Sequence, residues 1–175
     1  SPYTWLAQYR ATSFHWANGA EITGCASGKC VTDIVALGNP LLWWIGIGAL
    51  ALVLWTTLRY LNWRTGIIAL GYIALYAPWL AYAHRTIFTF YTVVFAPFVA
   101  LAVAWMIGLV AGWVSADGCP LAAPLPRRTE LMGWTLAAVL TILILACAAY
   151  FMPLWRADVV DYSFWRSHMW LPSWI

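Results

Sequence analysis

The fold is decided by the apolar run PLLWWIGIGALALVLWTTL, which occupies residues 40–58. The run contains no charged residue, and a helix that crosses a bilayer needs about 20 mainly apolar residues. Asn39 is a good helix cap and Pro40 suits the first helical position, so a helix is predicted to begin here. The natural solvent of such a helix is lipid.

Three further apolar runs follow, and the charged residues lie in short clusters between them. Of the 175 residues, 64% are apolar and 9% are charged, whereas soluble proteins typically have about 25% charged residues. Backbone groups in lipid must be hydrogen-bonded internally, so the runs are expected to be helices. The predicted fold is an all-α integral membrane protein with four transmembrane helices, at about residues 40–58, 67–83, 87–114 and 131–152.

Prolines and aromatic residues divide the chain into three predicted parts. Pro97 lies inside the third run, where a kink or a tilt is expected, and Pro153 is expected to stop the fourth helix. The two ends mix aromatic with polar residues, a composition that favours the membrane interface. We therefore expect an amphipathic interfacial segment at 1–38, a four-helix region at 39–152 and an aromatic, amphipathic tail at 153–175.

Arginine residues predict the orientation of these helices. An even number of spans puts both ends of the chain on one side of the membrane. The loops at 59–64 and 115–130 carry arginines close to the spans, which indicates a cytoplasmic position: Arg59, Arg64, Arg127 and Arg128. Both ends are then expected on the outer face, with basic residues that are mostly balanced by acids: Arg10, Lys29, Arg85, Arg156 and Arg166.

All six acidic residues lie outside the predicted spans. Ion-coupled transporters generally keep an ionisable group at membrane depth, so a complete transporter is disfavoured. The sequence has no pair of carboxylates placed for general acid–base catalysis. Its net charge of +3 is too small to indicate nucleic-acid binding.

Cys25 and Cys30 lie close together on the predicted outer side. Neither a histidine nor a second cysteine pair is near, so no zinc site is expected. An oxidising outer face favours a disulfide that closes a short surface loop. Two free thiols are the alternative.

Arg85 lies at the mouth of the third apolar run, just before three aromatic residues, Phe88, Phe90 and Tyr91. Two interpretations stay open. The side chain reaches back to the interface and anchors the helix, or its guanidinium binds the phosphate of a lipid carrier, whose oxygen geometry it matches.

Several tracts together resemble the C-terminal membrane region of protein O-mannosyltransferases of the actinobacterial kind. The resemblance covers nearly the whole chain in the same order, and any one tract is weak without the others. The tracts are Pro2–Leu6, Arg10–Phe14, the loop of Cys25 and Cys30, Ala36–Trp44, Tyr76–Trp79, Arg85–Phe98 and Met169–Trp174.

The resemblance implies a transferase of the GT-C type that uses polyprenyl-phosphate-mannose. Such enzymes move mannose to Ser or Thr of exported proteins on the outer face of the plasma membrane. Their catalytic acidic residues lie in the first outer loop, which nothing in this chain matches. The implied partners are therefore the N-terminal catalytic half of the same enzyme, the lipid carrier, exported acceptor proteins and the membrane.

In that setting the chain helps to form the lipid-carrier groove, and Arg85 is the candidate contact to the lipid phosphate. No catalytic residue is expected here, and this chain alone is expected to be inactive. Some members of the family use a divalent cation, but this sequence shows no site for one and no other cofactor is evident.

The start at Ser1, without a signal-peptide pattern, fits a piece of a longer protein or a processed one. The alternative to an enzyme part is a non-catalytic four-helix membrane scaffold that recruits partners through its outer tails.

Overall fold

The computed structural model describes residues 2–19, 22, 25, 28–85, 87–118 and 126–175. The chain is mostly helical. Its helices are α1 (Pro40–Tyr60), α2 (Trp63–Ala81), α3 (Ala96–Val110), α4 (Arg127–Trp155) and the short α5 (Tyr162–His168). Segments of 3₁₀ helix cover Pro2–Thr4, Thr89–Val94 and Pro172–Trp174. Helices α1 and α3 are central, because each of them contacts the other three of α1–α4.

Two asparagines cap the starts of α1 and α2. The Asn39 side-chain oxygen accepts a hydrogen bond from the Leu42 N–H at 3.1 Å, and its amide donates to the Ile144 carbonyl of α4 at 2.8 Å. At the other end of α1, Leu61 has a left-handed backbone with a φ of 51°. Asn62 then caps α2 by accepting from the Arg64 N–H at 3.0 Å. The chain therefore reverses direction between α1 and α2 within a tight turn.

Membrane character is strongest in α1 and α4. Within the described residues these two helices are long and apolar enough to cross a membrane, and α3 is a shorter apolar helix. Helix α2 has enough residues but is less apolar, because it begins at Trp63 and Arg64 and contains Pro78. Four transmembrane helices are therefore not confirmed, while a membrane location fits α1 and α4.

The third predicted span, 87–114, is wrong as a single helix. A 3₁₀ segment occupies Thr89–Val94, and α3 begins only at Ala96. Pro97 lies in the first turn of α3, where its missing N–H costs nothing. The proline therefore starts a helix instead of kinking one, and the β-branched and aromatic residues before it are weak helix formers.

Pro153 also behaves differently from the prediction, because α4 continues through it to Trp155. The missing proline N–H leaves the carbonyl four residues earlier without its helical hydrogen bond, a loss confined to the last turns of the helix. Its start at Arg127 lies inside the loop that was predicted at 115–130. Residues 119–125 of that loop lie outside the described residues.

An antiparallel sheet corrects the all-α prediction. Strand β1 (Thr12–Asn18) pairs with β2 (Cys30–Ala36), and β2 pairs with the short β3 (Val160–Asp161), in the order β1-β2-β3. The register runs from Thr12 opposite Ala36 to Asn18 opposite Val31, with an irregularity between Ser13 and His15. Parts of both predicted amphipathic ends are thus strands, as their β-branched and aromatic residues permit.

The sheet rests on one end of the helices, which we call the sheet end. Chain direction alternates, so this end contains the start of α1, the end of α2, the start of α3 and the end of α4. Strand β2 buries Val31 and Val35 in one cluster with Phe151 and Leu154 of α4. Asp33 is buried beside them, and its carboxylate accepts hydrogen bonds from Ser13 and from the Trp165 indole, at 2.7 and 2.8 Å.

Candidate functional site

Arg85 lines an open cleft of about 390 Å³ at the sheet end. Helix α2 stops at Ala81, and the Arg85 N–H donates to the Tyr82 carbonyl at 3.0 Å, which turns the chain outward. The Arg85 side chain is exposed, and among the described residues no acidic side chain forms an ion pair with it. The other residues that line the cleft are Pro78, Trp79, Tyr82, Ile87 and Tyr91. A free cation therefore stands at the edge of a mostly aromatic cleft.

Aromatic stacking fixes the walls of this cleft. The rings of Trp79 and Tyr91 are stacked with centroids 4.5 Å apart, which joins the end of α2 to the 3₁₀ segment. Such aromatic pairs contribute about 0.5–1.5 kcal/mol beyond the area that they bury. The two stacked rings therefore form one preformed wall of the Arg85 cleft, built from two separate chain segments.

Trp5 packs against both rings of this wall. Its side chain is 2% exposed, and its ring contacts those of Trp79 and Tyr91 with centroids 5.6 and 6.5 Å apart. It also stacks on Phe95, which is fully buried at the start of α3. The N-terminal segment thereby holds α2, the 3₁₀ segment and α3 together beneath the cleft.

Gln8 ties that N-terminal segment to the rest of the chain. It is fully buried and has a left-handed backbone with a φ of 51°. Its side-chain amide donates to the Trp5 carbonyl at 2.9 Å, and its side-chain oxygen accepts from the Gly38 N–H at 3.0 Å. The position of Trp5 therefore depends on the buried Gln8 side chain. This side chain joins the Trp5 carbonyl to the backbone just before α1.

The tail Met169–Ile175 lies over the same segment and does not line the Arg85 cleft. The Trp174 indole donates to the Gln8 carbonyl at 2.7 Å, and the Ser173 hydroxyl donates to the Tyr9 carbonyl. His168 is fully buried and its ring is stacked on that of Tyr150, with centroids 3.8 Å apart. The tail therefore holds the N-terminal segment in place through hydrogen bonds to its backbone carbonyls.

A second, more polar cleft of about 460 Å³ adjoins the first, and the two share Ile87. It is lined by Thr4 and Trp5, by residues 10–13 at the entry to β1, and by residues 87–89. The exposed Arg10 lines it; the sequence placed this residue among the outer basic residues and in the resemblance tract Arg10–Phe14, without a site role. Its position in a cleft could not be read from that tract, because the cleft also needs residues 87–89, far along the chain.

The structure contains a disulfide between Cys25 and Cys30, with Cα atoms 5.7 Å apart. It joins the connection after β1 to Cys30, the first residue of β2, and does not line either cleft. Within the part of the chain that the structure describes, no three His, Cys, Asp or Glu residues are grouped as a metal site requires.

Known proteins of one name are similar to this chain along nearly its whole length. The chain is 29% identical over 173 residues to a polyprenol-phosphate-mannose–protein mannosyltransferase of Mycolicibacterium smegmatis, covering 99% of this chain and 32% of that protein. It is 25% identical over 173 residues to the proteins of the same name from Mycobacterium tuberculosis and Corynebacterium glutamicum, covering 99% of this chain and 31% of each.

The chain is homologous to part of these mannosyltransferases. The resemblance inferred from the separate tracts is thereby confirmed. The chain spans about a third of the length of the curated mannosyltransferases that it matches. No family model matches it, and no solved structure does.

Proposed function

We propose that this chain is the C-terminal membrane part of an enzyme that transfers mannose from a polyprenyl-phosphate carrier to Ser or Thr of exported proteins. Similarity to the mannosyltransferases along 99% of the chain supports the reaction class. The apolar helices α1 and α4 support a setting in the membrane, where the carrier lipid is dissolved.

The observation that carries the proposal is the cationic, aromatic cleft at Arg85. A guanidinium presents donors in a planar fork, which matches two oxygens of a phosphate at once. Trp79 and Tyr91 supply an apolar wall beside it, and rings of this kind favour the level of the lipid headgroups. A phosphate that is attached to a lipid requires this combination of a charge and an adjacent apolar surface.

The proposed orientation puts the sheet end outside the cell, at the plasma membrane. The opposite end carries four arginines close to the helix ends, and the positive-inside rule favours a cytoplasmic position for them: Arg59, Arg64, Arg127 and Arg128. Arg85 then faces the side on which exported proteins appear. In this proposal α1, α2 and α4 cross the bilayer, and the shorter α3 crosses it together with the 3₁₀ segment before it.

The proposed reaction is a single inverting displacement. The acceptor hydroxyl oxygen attacks the anomeric carbon, the bond from that carbon to the phosphate oxygen breaks, and the lipid phosphate leaves with the electron pair. The hydroxyl proton passes to a carboxylate, which the resemblance assigns to the N-terminal half of the enzyme. This chain contributes the cation that stabilises the negative charge on the leaving phosphate.

A reconstituted transfer assay tests this function. The full-length protein is placed in lipid vesicles with radiolabelled mannose on either polyprenyl phosphate or a nucleoside diphosphate, together with a synthetic peptide that contains threonine. We expect label on the peptide only from the lipid donor, and none when each threonine is replaced by alanine. Transfer from the nucleotide sugar alone, or no transfer from either donor, would contradict the proposal.

A further inference from the structure

We propose that the groove between the end of α3 and the first half of α4 binds one anionic phospholipid, with its phosphate at Arg127 and an acyl chain along the groove. This α3–α4 groove lies at the end of the helices opposite the sheet end. The inference does not need the mannosyl-transfer reaction, because it uses only the membrane location of α4.

The α3–α4 groove is a recess of about 360 Å³ and not a flat helix face. Small side chains form its floor, since Ala137 is 4% exposed and Ala138 lies next to it. The rings of Trp113 and Trp134 stand at the end nearer the start of α4, nearly perpendicular and with centroids 4.8 Å apart. From there the groove follows α4 as far as Ile142.

Close packing of the backbone fixes the two helices that form this groove. A Cβ atom at Gly133 of α4 would lie 2.3 Å from the Val110 carbonyl oxygen of α3, so the two helices approach more closely there than any other residue permits. Gly112 ends α3 with a φ of 75°, and the Trp113 N–H donates to the Gly108 carbonyl at 2.8 Å. The groove is therefore formed before a ligand enters it.

Arg127 lies on the face of α4 that carries the groove. Residues seven apart lie on the same side of an α-helix. Trp134 follows Arg127 by seven residues and Thr141 follows Trp134 by seven, and both of these later residues line the groove. Arg128 is rotated by about 100° from Arg127. One guanidinium thus stands in line with the groove, and a second flanks it.

The charge at the start of α4 is not neutralised by the protein. Arg127 and Arg128 are exposed, and among the described residues neither forms an ion pair. Glu130 shares the first turn of α4, and within the same part of the chain it also forms none. The turn therefore keeps a net positive charge that an anion from outside can meet.

The other two arginines at this end are engaged within the protein. The Arg64 guanidinium donates to the Gly118 carbonyl at 2.7 Å. The Arg59 guanidinium lies over the ring of Tyr60, 5.3 Å from its centroid. The charge that is free to attract an external anion at this end is therefore concentrated at the start of α4.

The length of the groove matches one leaflet of a bilayer. Helix α4 rises about 22 Å from Arg127 to Ile142, and one leaflet with its headgroups is about 20–22 Å thick. Trp134 lies about 10 Å along this path, where tryptophan favours the boundary between headgroups and acyl chains. A phospholipid has an anion at the level of Arg127 and an apolar chain below it, whereas an apolar helix at this place would leave the arginine without a partner.

The free charge selects an anionic phospholipid over a zwitterionic one. Both kinds carry a phosphate, but a zwitterionic lipid brings its own ammonium group to the same place. Basic pockets between membrane helices on the cytoplasmic side bind anionic headgroups, and each basic side chain near the surface favours them about fivefold. In the proposed orientation the groove faces the cytoplasmic leaflet, which is rich in such lipids.

Photocrosslinking in vesicles of defined composition tests this site. The full-length protein is reconstituted in phosphatidylcholine with a small fraction of phosphatidylglycerol that carries a diazirine on its acyl chain. A phosphatidylcholine with the same diazirine replaces it in a parallel sample, and the adducts are mapped by mass spectrometry. We expect adducts at Trp113, Trp134 or Ile142 to be about fivefold more abundant with the phosphatidylglycerol probe.

Variants of the groove separate its charge from its shape. Arg127→Ala should remove the preference for phosphatidylglycerol, and Arg127→Lys should keep most of it, because the charge is retained. Arg59→Ala is the matched control, since it removes an arginine from the same end that already lies over an aromatic ring. Ala138→Trp fills the groove without changing any charge, and it should lower labelling by the phosphatidylglycerol probe to the level of the phosphatidylcholine probe.

Three results would overturn the inference. Equal labelling by the two probes, or an unchanged preference in Arg127→Ala, would show that the groove holds only the surrounding bilayer lipid. No adduct in the groove would assign it to the remaining part of the enzyme. Stronger competition by unlabelled polyprenyl phosphate than by unlabelled phosphatidylglycerol would assign it to the carrier. The transfer assay tests the proposed function separately, because neither probe carries mannose.

Discussion

Replacing Arg85 by alanine in the full-length enzyme is expected to lower kcat/KM for polyprenyl-phosphate-mannose by about ten- to a hundredfold. The estimate follows from the loss of a charge-assisted hydrogen bond to the phosphate, which typically contributes about 1.5–3 kcal/mol. Arg85→Lys keeps the charge and loses the planar fork, so its loss should be smaller. Initial rates at several donor concentrations, in a vesicle assay, measure both variants.

Arg156→Ala is the control for this prediction, because it removes an arginine from the same end without touching the Arg85 cleft. Its kcat/KM should stay near that of the unchanged enzyme. If Arg85→Ala and Arg85→Lys both retain full activity, Arg85 serves only as an anchor at the membrane interface. That is the other interpretation that the sequence left open.

Replacing Trp5 by alanine is expected to cost the most stability of any substitution near the site. Large-to-small changes of a buried tryptophan typically cost about 3–5 kcal/mol, and Trp5 supports both Trp79 and Tyr91. The cleft wall should therefore lose its fixed position together with the lost packing. The detergent-solubilised protein is heated and then run on a size-exclusion column. The expected result is a clear fall in the temperature at which it stops eluting as a single species.

Trp63→Ala is the matched control for Trp5. Trp63 begins α2 at the opposite end and is 67% exposed, so its removal should change the elution temperature little. Trp5→Phe should keep part of the ring packing and fall between the two. Equal stability of the Trp5→Ala and Trp63→Ala proteins would show that the N-terminal segment does not support the cleft.

Most of the helices could be predicted because each coincides with a continuous run of apolar residues. Asn39 and Pro40 mark the start of α1 as expected, and the cap bond to Leu42 is the local reason. The third span failed because apolar composition alone cannot separate a 3₁₀ segment from a helix. Pro97 carries the missing information, since proline is favoured in the first turn of a helix as well as at a kink.

The sheet was missed for a different physical reason. Strand β2 pairs with β3, whose residues lie far along the chain, and such pairing leaves no local signal. The aromatic residues of β1 also fit an interfacial helix by composition, so their pattern favoured neither structure strongly. A strand of seven residues gives few positions over which alternation can be recognised.

The candidate site was partly predictable. Arg85 stands out in the sequence because charges are scarce near the apolar runs. Its neighbours Trp79 and Tyr91 come from two segments that the fold brings together, and Arg10 approaches Ile87 only after the N-terminal segment packs on α2. The sequence therefore indicated the single charged residue, whereas the cleft around it, which several segments form, required the structure.

Photocrosslinking of the carrier lipid tests the central claim most directly. A polyprenyl phosphate with a diazirine on the isoprene unit next to the phosphate is incorporated with the full-length protein in vesicles, irradiated, and the adducts are mapped by mass spectrometry. The account predicts adducts on Trp79, Tyr82 or Tyr91 that are competed by unlabelled polyprenyl phosphate and reduced in Arg85→Ala. Adducts confined to other surfaces, such as the apolar groove of Trp113 and Trp134, or unchanged in Arg85→Ala, would contradict it.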